Sequence, residues 1–227
     1  MNAPVLMIAG LASGQGKTSV TAALARAARQ AGQRVQVFKM GPDFIDPMVL
    51  ERASGAPVYQ IDDRMVGVAE SRWRVARAAA HHDLVLIEGA MGLHDGPPST
   101  ADLARALDAS VVVVVDAGSM AQTFGAVVQG LAGYGAPLRI AGAIANRVAS
   151  AGHARLLADS LSPAIPLLAA VPPSAATLPS RHLGLSSEAH AEVDAAIDAL
   201  AAAVAPDRKS TRLNSSHSQQ SRMPSSA

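Results

Sequence analysis

MIAGLASGQGKTSVT, residues 7–21, is a glycine-rich turn that joins a short apolar run to a helical pattern. Glycines let backbone N–H groups approach phosphate oxygens without a Cβ in the way, and the following helix directs its positive dipole end to the same point. In such a turn Lys17 reaches the β- and γ-phosphates, and the Thr18 hydroxyl lies on a magnesium ion. The stretch therefore predicts a phosphate-binding loop, with nucleotide-binding residues Gly14, Gln15, Gly16, Lys17 and Thr18.

The spacing of this loop has one irregularity. The usual pattern is a glycine, four residues and then Gly-Lys-Thr, whereas here Leu11 holds the position of the first glycine and Gly10 lies one residue earlier. A plain structural turn is the alternative interpretation. Nucleotide binding is favoured because the turn lies between a predicted strand and a predicted helix, as a phosphate-binding loop must.

Composition narrows the class of protein. The chain has 227 residues, 49% of them hydrophobic, which is enough for one α/β core. It has no run of eighteen apolar residues and no signal peptide at its start, so we expect a cytoplasmic protein with no membrane contact. Residues 1–206 carry 15 basic and 17 acidic side chains, which argues against a nucleic-acid partner. The absence of cysteine excludes thiolate metal sites and cysteine nucleophiles.

Apolar runs alternate with alanine-rich helical patterns along the chain. This alternation predicts a doubly wound, mostly parallel α/β sheet with helices on both faces, and together with the phosphate-binding loop it indicates the P-loop NTPase class. The predicted strands are Val5–Ala9, Val35–Lys39, Leu84–Glu88, Val111–Asp116, Ile140–Asn146 and Leu167–Val171. The predicted helices are Ser19–Ala31, Val68–His81, Ala101–Asp108, Met120–Tyr134, Ala154–Ser160 and Ser186–Val204. Ligands bind beyond the carboxyl ends of such strands, so the residues that end each strand are candidates for chemistry.

Three predicted strands end in residues that suit phosphate chemistry. Lys39 is followed by GPDFIDP. In this loop Asp43 and Asp46 are either turn formers or helix caps, with Asp46 a candidate N-cap, or they bind magnesium and orient a substrate. Glu88 ends a buried strand, where an unpaired carboxylate is costly, and is therefore a candidate magnesium ligand. Glycines surround Asp95 in the loop that follows. Asn146 ends another strand and has the donor and acceptor that an adenine edge requires.

Five segments resemble, in order and spacing, the ATP-binding domain of cobyrinic or hydrogenobyrinic acid a,c-diamide synthetases, which are related in fold to dethiobiotin synthetase. The segments are GQGKTSVT, VFKMGPDFIDP, LVLIEGAMGLHDG, AGAIANRV and RHLGL. These synthetases are glutamine-dependent amidoligases of corrinoid biosynthesis, and dethiobiotin synthetase-like loops share the five-residue spacing after Gly10. The resemblance implies that ATP phosphorylates an acetate carboxylate of the macrocycle and that ammonia then attacks the acyl phosphate.

The resemblance also implies roles for individual residues, with ATP and Mg²⁺ as cofactors. Lys17 and Lys39 supply positive charge to the phosphates. Magnesium is held by Thr18, Asp46 and Glu88. Asp43 and Asp95 orient the substrate or assist removal of a proton from ammonia. The remaining contacts are those of Asn146 with adenine and of Arg181 and His182 with substrate carboxylates.

Members of that family continue into a glutaminase domain with a cysteine nucleophile, so the resemblance implies that this chain is the ATP-binding domain alone and that its ammonia comes from a missing glutaminase domain. We expect residues 1–206 to form that domain. Residues 207–227 are serine-rich and without periodicity, resemble translated vector-derived sequence, and are expected to be a disordered, non-native tail. A homodimer is a further expectation from the resemblance.

Two other functions remain open. A partitioning-type regulatory ATPase shares the predicted architecture, but such proteins carry a second lysine five residues before the main one, where this chain has Ala12. A related amidoligase of different tetrapyrrole specificity, such as one for a nickel tetrapyrrole, would have nearly the same motifs.

Overall fold

The computed structural model describes residues 3–173 and 187–205. Seven strands form one sheet in the order β3-β2-β4-β1-β5-β6-β7, and every neighbouring pair is parallel. The strands are β1 (Val5–Gly10), β2 (Val35–Met40), β3 (Tyr59–Ile61), β4 (Leu84–Glu88), β5 (Ser110–Asp116), β6 (Ile140–Asn146) and β7 (Leu167–Ala170). The predicted parallel α/β sheet is confirmed.

Seven helices cover the two faces of the sheet. They are α1 (Lys17–Gln30), α2 (Asp46–Ser54), α3 (Val68–His81), α4 (Thr100–Ala106), α5 (Thr123–Gly133), α6 (Ala151–Asp159) and α7 (Ser187–Val204). The core on one face joins the sheet to α1, α2 and α7, and the core on the other joins it to α3, α4, α5 and α6. Within the described residues, no helix has both the length and the apolar character needed to span a bilayer.

Two of these elements, β3 and α2, were not predicted from the sequence. β3 has only three residues and lies at the edge of the sheet, so no long apolar run marks it. α2 begins at Asp46 rather than after it, and Pro47 lies in its first turn, where a missing N–H costs nothing. The prediction of Asp46 as N-cap is therefore wrong by one residue, because the cap position is Ile45. α1 likewise begins two residues earlier than predicted, at Lys17.

The order of the strands determines which loops meet. β1 lies between β4 and β5, and β4 lies between β1 and β2. Glu88 is paired in register with Ile8 on one side and with Lys39 on the other. The loops that follow β1, β2 and β4 therefore converge at the carboxyl edge of the sheet. Arg181, His182 and residues 207–227 lie outside the described residues, so the expectations for them stay predictions.

Candidate nucleotide-binding site

The loop between β1 and α1 has the backbone that a phosphate-binding turn needs. Gly14 and Gly16 adopt φ values of 77° and 91°, a left-handed region that L side chains rarely occupy. A Cβ on Gly16 would lie 2.3 Å from Nδ2 of Asn146, so only glycine fits there. α1 starts at the next residue and directs its first backbone N–H groups into the loop. The glycine spacing read from the sequence thus corresponds to a loop open to an anion.

Lys17 lies across this loop. Its Nζ donates to the carbonyl oxygens of Ala12, at 2.9 Å, and Met91, at 2.5 Å. Met91 has a φ of 49°, so its carbonyl is presented by a strained left-handed backbone. Burial lowers the pKa of Lys17 below its ordinary value. The ammonium is therefore held by neutral carbonyls and has no carboxylate in direct contact among the described residues.

Thr18, Glu88 and Lys39 form a buried cluster beside Lys17. The Thr18 hydroxyl donates to Oε1 of Glu88 at 2.7 Å, and Nζ of Lys39 donates to the same oxygen at 2.9 Å. Glu88 is 1% exposed and Lys39 is 5% exposed. The other carboxylate oxygen of Glu88, Oε2, is buried and has no hydrogen-bond partner within residues 3–173 and 187–205. A buried acceptor without a donor is costly, which indicates a position prepared for a ligand.

The electrostatics of this cluster follow from its burial. Burial raises the pKa of Glu88 above its ordinary value, although the Lys39 ammonium and the Thr18 hydroxyl act in the opposite direction. Burial also disfavours the charged form of Lys39, but the charges of Glu88 and Asp46 outweigh it and raise the pKa of Lys39. Lys39 therefore stays protonated at neutral pH and keeps a positive charge next to the phosphate loop.

The two aspartates of the GPDFIDP loop have different surroundings. Asp46 accepts from Nζ of Lys39 at 2.6 Å. Asp43 accepts with Oδ1 from the backbone N–H groups of Ile45, at 2.9 Å, and Asp46, at 3.1 Å, so it caps the start of α2. Although burial opposes it, these N–H donors lower the pKa of Asp43. Its Oδ2 is 3.8 Å from Nζ of Lys39 and faces the cleft.

Asp95 stabilises the loop after β4. One of its oxygens, Oδ2, accepts from the backbone N–H of Gly92 at 2.9 Å. A Cβ on Gly92 would lie 2.5 Å from that oxygen and 2.6 Å from the carbonyl oxygen of Leu11, so glycine permits the contact between the two loops. The Asp95 charge also acts on the ammonium of Lys17.

Gln15 and Asn146 connect the phosphate loop to the far side of β1. The Gln15 side-chain oxygen accepts from the backbone N–H of Asp116 at 2.8 Å. The Asn146 side chain donates to the backbone oxygen of Gln15 at 3.1 Å, and its oxygen accepts from the N–H of Arg147. The sequence identified both residues as nucleotide contacts but did not indicate that they brace the loop.

These residues line one open cleft of 530 Å³. Its lining includes Gly14, Gly16, Lys17, Thr18, Lys39, Asp43, Asp46, Glu88, Met91 and Asn146. Gln15 and Asp95 are not among its lining residues, but their hydrogen bonds to the backbone N–H groups of Asp116 and Gly92 stabilise the loops that form it. Within the part of the chain that the structure describes, no three acidic or histidine side chains form a preformed metal cluster.

Large apolar side chains are exposed in the loops that follow β1, β2, β3 and β4 and in the first turn of α2, a set of residues called here the apolar rim. Its members are Leu11, Phe44, Ile45, Met48, Met65 and Met91. Phe44 is 80% exposed although the chain has only three phenylalanines. Sequence reasoning missed this surface, because it treated these loops as sites for polar residues. The sequence did contain an indication of it. Apolar residues next to turn-forming glycines and aspartates lie in loops, where they do not pack into the core and are exposed.

Known proteins share both the sequence and the fold. The hydrogenobyrinate a,c-diamide synthase of Stutzerimonas stutzeri (strain A1501) is 55% identical over 206 residues, covering 90% of this chain and 48% of that protein. The cobyrinate a,c-diamide synthase of Herminiimonas arsenicoxydans is 54% identical over 201 residues, with 88% and 45% coverage. The chain therefore spans about half the length of the curated relatives it matches.

A solved structure shows the same fold at low sequence identity. Chloroplast FtsY from Physcomitrella patens superposes with a TM-score of 0.57 at 17% identity, covering 88% of this chain and 66% of that one. That likeness shows the fold alone. Residues 6–185 match the CobQ/CobB/MinD/ParA nucleotide binding domain. Because this match covers most of the chain, the chain belongs to the CobQ/CobB/MinD/ParA nucleotide-binding domain family.

Proposed function

We propose that the chain amidates the a- and c-acetate carboxylates of cobyrinic or hydrogenobyrinic acid, using ATP to activate each carboxylate. The observation that carries this proposal is the convergence of Lys17, Thr18, Lys39 and Glu88 at one phosphate loop. It is supported by relatives that are a,c-diamide synthases and are 54% and 55% identical to this chain. Residues 1–206 would form the ATP-binding domain for this reaction.

ATP would lie with its phosphates in the loop formed by Gly14, Gln15 and Gly16. Lys17 already contacts two neutral carbonyl oxygens, which phosphate oxygens would replace as stronger acceptors. Asn146 would contact the adenine with the part of its amide not used by the loop. Burial lowers the pKa of Lys17 because it disfavours the charged ammonium. A bound phosphate would stabilise that charged form.

The donor set fits one magnesium ion held mainly by phosphates. Thr18 and Glu88 present adjacent side-chain oxygens, and Oε2 of Glu88 is buried without a partner among the described residues. Magnesium prefers one or two protein carboxylates together with phosphate oxygens and water. Thr18, Glu88 and Asp46 would hold it, and it would neutralise charge on the phosphates when bound.

The activation step joins a substrate carboxylate oxygen to the γ-phosphorus of ATP and breaks the bond from that phosphorus to ADP. Ammonia then attacks the carbonyl carbon of the acyl phosphate, loses a proton, and expels phosphate. Lys17 and Lys39 would stabilise the charge on the transferred phosphoryl group. Asp43 and Asp95 would orient the substrate or take the proton from ammonia.

The apolar rim supports a bulky substrate with apolar faces. Met91, one of its members, lines the cleft, and the Met91 carbonyl contacts Lys17. A macrocycle whose peripheral carboxylate enters the cleft would cover this surface. Flexible methionine side chains adapt to an irregular ring better than rigid residues do.

The proposal is tested by mass spectrometry of the corrinoid after incubation of the purified chain with Mg-ATP and cobyrinic or hydrogenobyrinic acid. Ammonium and glutamine are compared as nitrogen sources. We expect mono- and diamides with ammonium and no amide with glutamine. The chain has no cysteine, so it has no cysteine nucleophile to release ammonia from glutamine. ATP hydrolysis without any amide would refute the proposal and favour a regulatory ATPase. Lys17→Ala is the inactive control.

A further inference from the structure

A second groove lies between α3 and the β2–β3 edge of the sheet. Its volume is 580 Å³, and it shares no lining residue with the nucleotide cleft. Gln36 and Phe38 of β2 and Tyr59 of β3 form its floor, and Phe38 is paired in register with Tyr59. α3 packs over β4, so Tyr59 at the edge remains 53% exposed.

The wall that α3 contributes is aromatic and positively charged. Trp73, the only tryptophan of the chain, is 55% exposed. The guanidinium carbon of Arg77 lies 5.2 Å from the centre of the Trp73 ring, a cation–π contact that holds the arginine beside it. Trp73 and Tyr59 therefore leave aromatic surface exposed to solvent in one groove. Exposed apolar surface of this kind is typical of ligand-binding grooves and interaction sites.

The charge in the groove is positive. Among the described residues that line it, the only acidic one is Glu70, which is paired with Arg74 at 2.8 Å. Arg74 also donates to the carbonyl of Gln60. The Arg77 guanidinium, by contrast, has no hydrogen bond or ion pair with the residues the structure describes. Among the described residues, the Arg77 charge is therefore in contact with the Trp73 ring but is not neutralised by a carboxylate.

Two histidines close the end of the groove at the last turn of α3. Nδ1 of His81 contacts the carbonyl of Arg77 at 2.8 Å, and Nδ1 of His82 contacts the carbonyl of Ala78 at 3.0 Å. Because a carbonyl oxygen only accepts, each contact assigns the ring proton to Nδ1. With the proton on Nδ1, Nε2 of each ring can accept from an O–H or N–H group of a ligand but does not donate to an anion.

We propose that this groove binds a small planar anion, an aromatic ring that carries a carboxylate or a phosphate. The ring lies against Trp73 and Tyr59, and the anion pairs with Arg77. The volume is within the range of small-molecule sites. A second copy of the chain fits less well, because a symmetric contact would bring two positively charged groove linings together. The inference does not depend on the proposed amidation.

The single tryptophan makes the test local. The full chain is labelled with 5-fluorotryptophan, so that one ¹⁹F resonance reports Trp73, and is titrated with benzoate, phenyl phosphate, benzamide and inorganic phosphate. We expect a saturable shift with benzoate and phenyl phosphate, with benzamide and inorganic phosphate at least about tenfold weaker, since each lacks one of the two contacts. A shift that does not saturate, or an equal response to benzamide, overturns the proposal.

Variants separate the groove from the rest of the molecule. Arg77→Gln should weaken binding of phenyl phosphate about tenfold by removing the charge-assisted contact. Arg72→Gln is the matched control, because Arg72 lies on the same helix but donates to the carbonyl of Ala106. Lys17→Ala should leave the titration unchanged. An unchanged affinity in Arg77→Gln, or an equal loss in Arg72→Gln, would contradict the assignment.

Discussion

β4 and β5 flank β1 on opposite sides, and each is a buried apolar strand that ends in an acidic residue. Glu88 at the end of β4 is 1% exposed and bonds to Thr18 and Lys39. Asp116 at the end of β5 is partly exposed, pairs with the exposed Arg147, and accepts from the N–H of Gly118. Two similar sequence patterns thus produce a buried charge cluster on one side and a solvated turn on the other.

The difference arises from the direction in which the phosphate loop folds. Thr18, in the first turn of α1, reaches β4, whereas the side chain that reaches β5 is Gln15, which binds the backbone N–H of Asp116 rather than its carboxylate. The loop therefore contacts the carboxylate that ends β4 with the Thr18 hydroxyl and the backbone of β5 with the Gln15 side chain. A strand that ends in an acid marks the carboxyl edge of the sheet, but the neighbouring residues decide which acid is buried beside the loop.

The largest effect that tests this contrast is on turnover. Glu88→Gln should lower the rate of corrinoid-dependent ADP formation by about 100-fold or more, because it removes a buried charge preorganised beside the phosphates. Asp116→Asn should lower it by less than about fivefold, since exposed ion pairs contribute little. Initial rates at saturating ammonium measure both. Equal losses in the two variants would remove the distinction between the strands.

The next effect is on stability. Lys39→Met leaves the carboxylates of Glu88 and Asp46 without their cation, so the free energy of unfolding should fall by about 3 kcal/mol. Arg147→Met, its counterpart at β5, breaks a pair whose arginine is 61% exposed and should cost less than about 1 kcal/mol. Urea unfolding monitored by circular dichroism gives both values. Similar losses would mean that the Lys39 cluster behaves like a surface pair.

A smaller effect tests the supporting role of β5. Gln15→Ala removes the side-chain bond to Asp116 and should weaken ATP binding by about fivefold, which corresponds to about 1 kcal/mol for one hydrogen bond. The dissociation constant from calorimetry measures this. Gln33→Ala is the matched control, because Gln33 is exposed in the turn after α1. This variant should leave the dissociation constant for ATP unchanged.

The smallest effect is the pH dependence of stability at the start of β4, at the opposite end of the strand from Glu88. Asp83 precedes β4, and hydrogen bonds from Arg34 lower its pKa to about 2. A carboxylate with a lowered pKa stabilises the fold above its ordinary value of 3.8, and that contribution is lost as the pH falls towards about 2. The destabilisation caused by Asp83→Asn should therefore be constant near neutral pH and shrink below about pH 4. A loss that does not change with pH would contradict the pairing.

Much of the fold was predictable because it rests on local patterns. The long apolar runs of β1, β2, β4, β5 and β6 each predict a buried parallel strand, and the glycine spacing predicts the turn before α1. β3 was missed because three residues at a sheet edge carry no periodic signal. The start of α2 was misplaced by one residue because the Asp43 carboxylate binds the N–H groups of Ile45 and Asp46, so that Ile45 takes the cap position and Asp46 is already helical.

The site was predictable in its members but not in its contacts. Strand-end reasoning selected Lys39 and Glu88, and the structure brings them to 2.9 Å. The bond from Lys17 to Met91 joins residues 74 positions apart and depends on the order of the strands. That order, with β4 inserted between β1 and β2, is a property of the whole chain and is not encoded by any single segment.

The measurement that tests the account most directly follows oxygen from the substrate. Cobyrinic acid labelled with ¹⁸O in its carboxylates is incubated with the chain, Mg-ATP and ammonium, and the inorganic phosphate released is analysed by mass spectrometry. If the cleft that Lys17, Lys39 and Glu88 line activates a carboxylate as an acyl phosphate, one ¹⁸O should appear in phosphate for each amide formed. Release of unlabelled phosphate would mean that water attacks ATP, and would contradict the assignment of this cleft to amide synthesis.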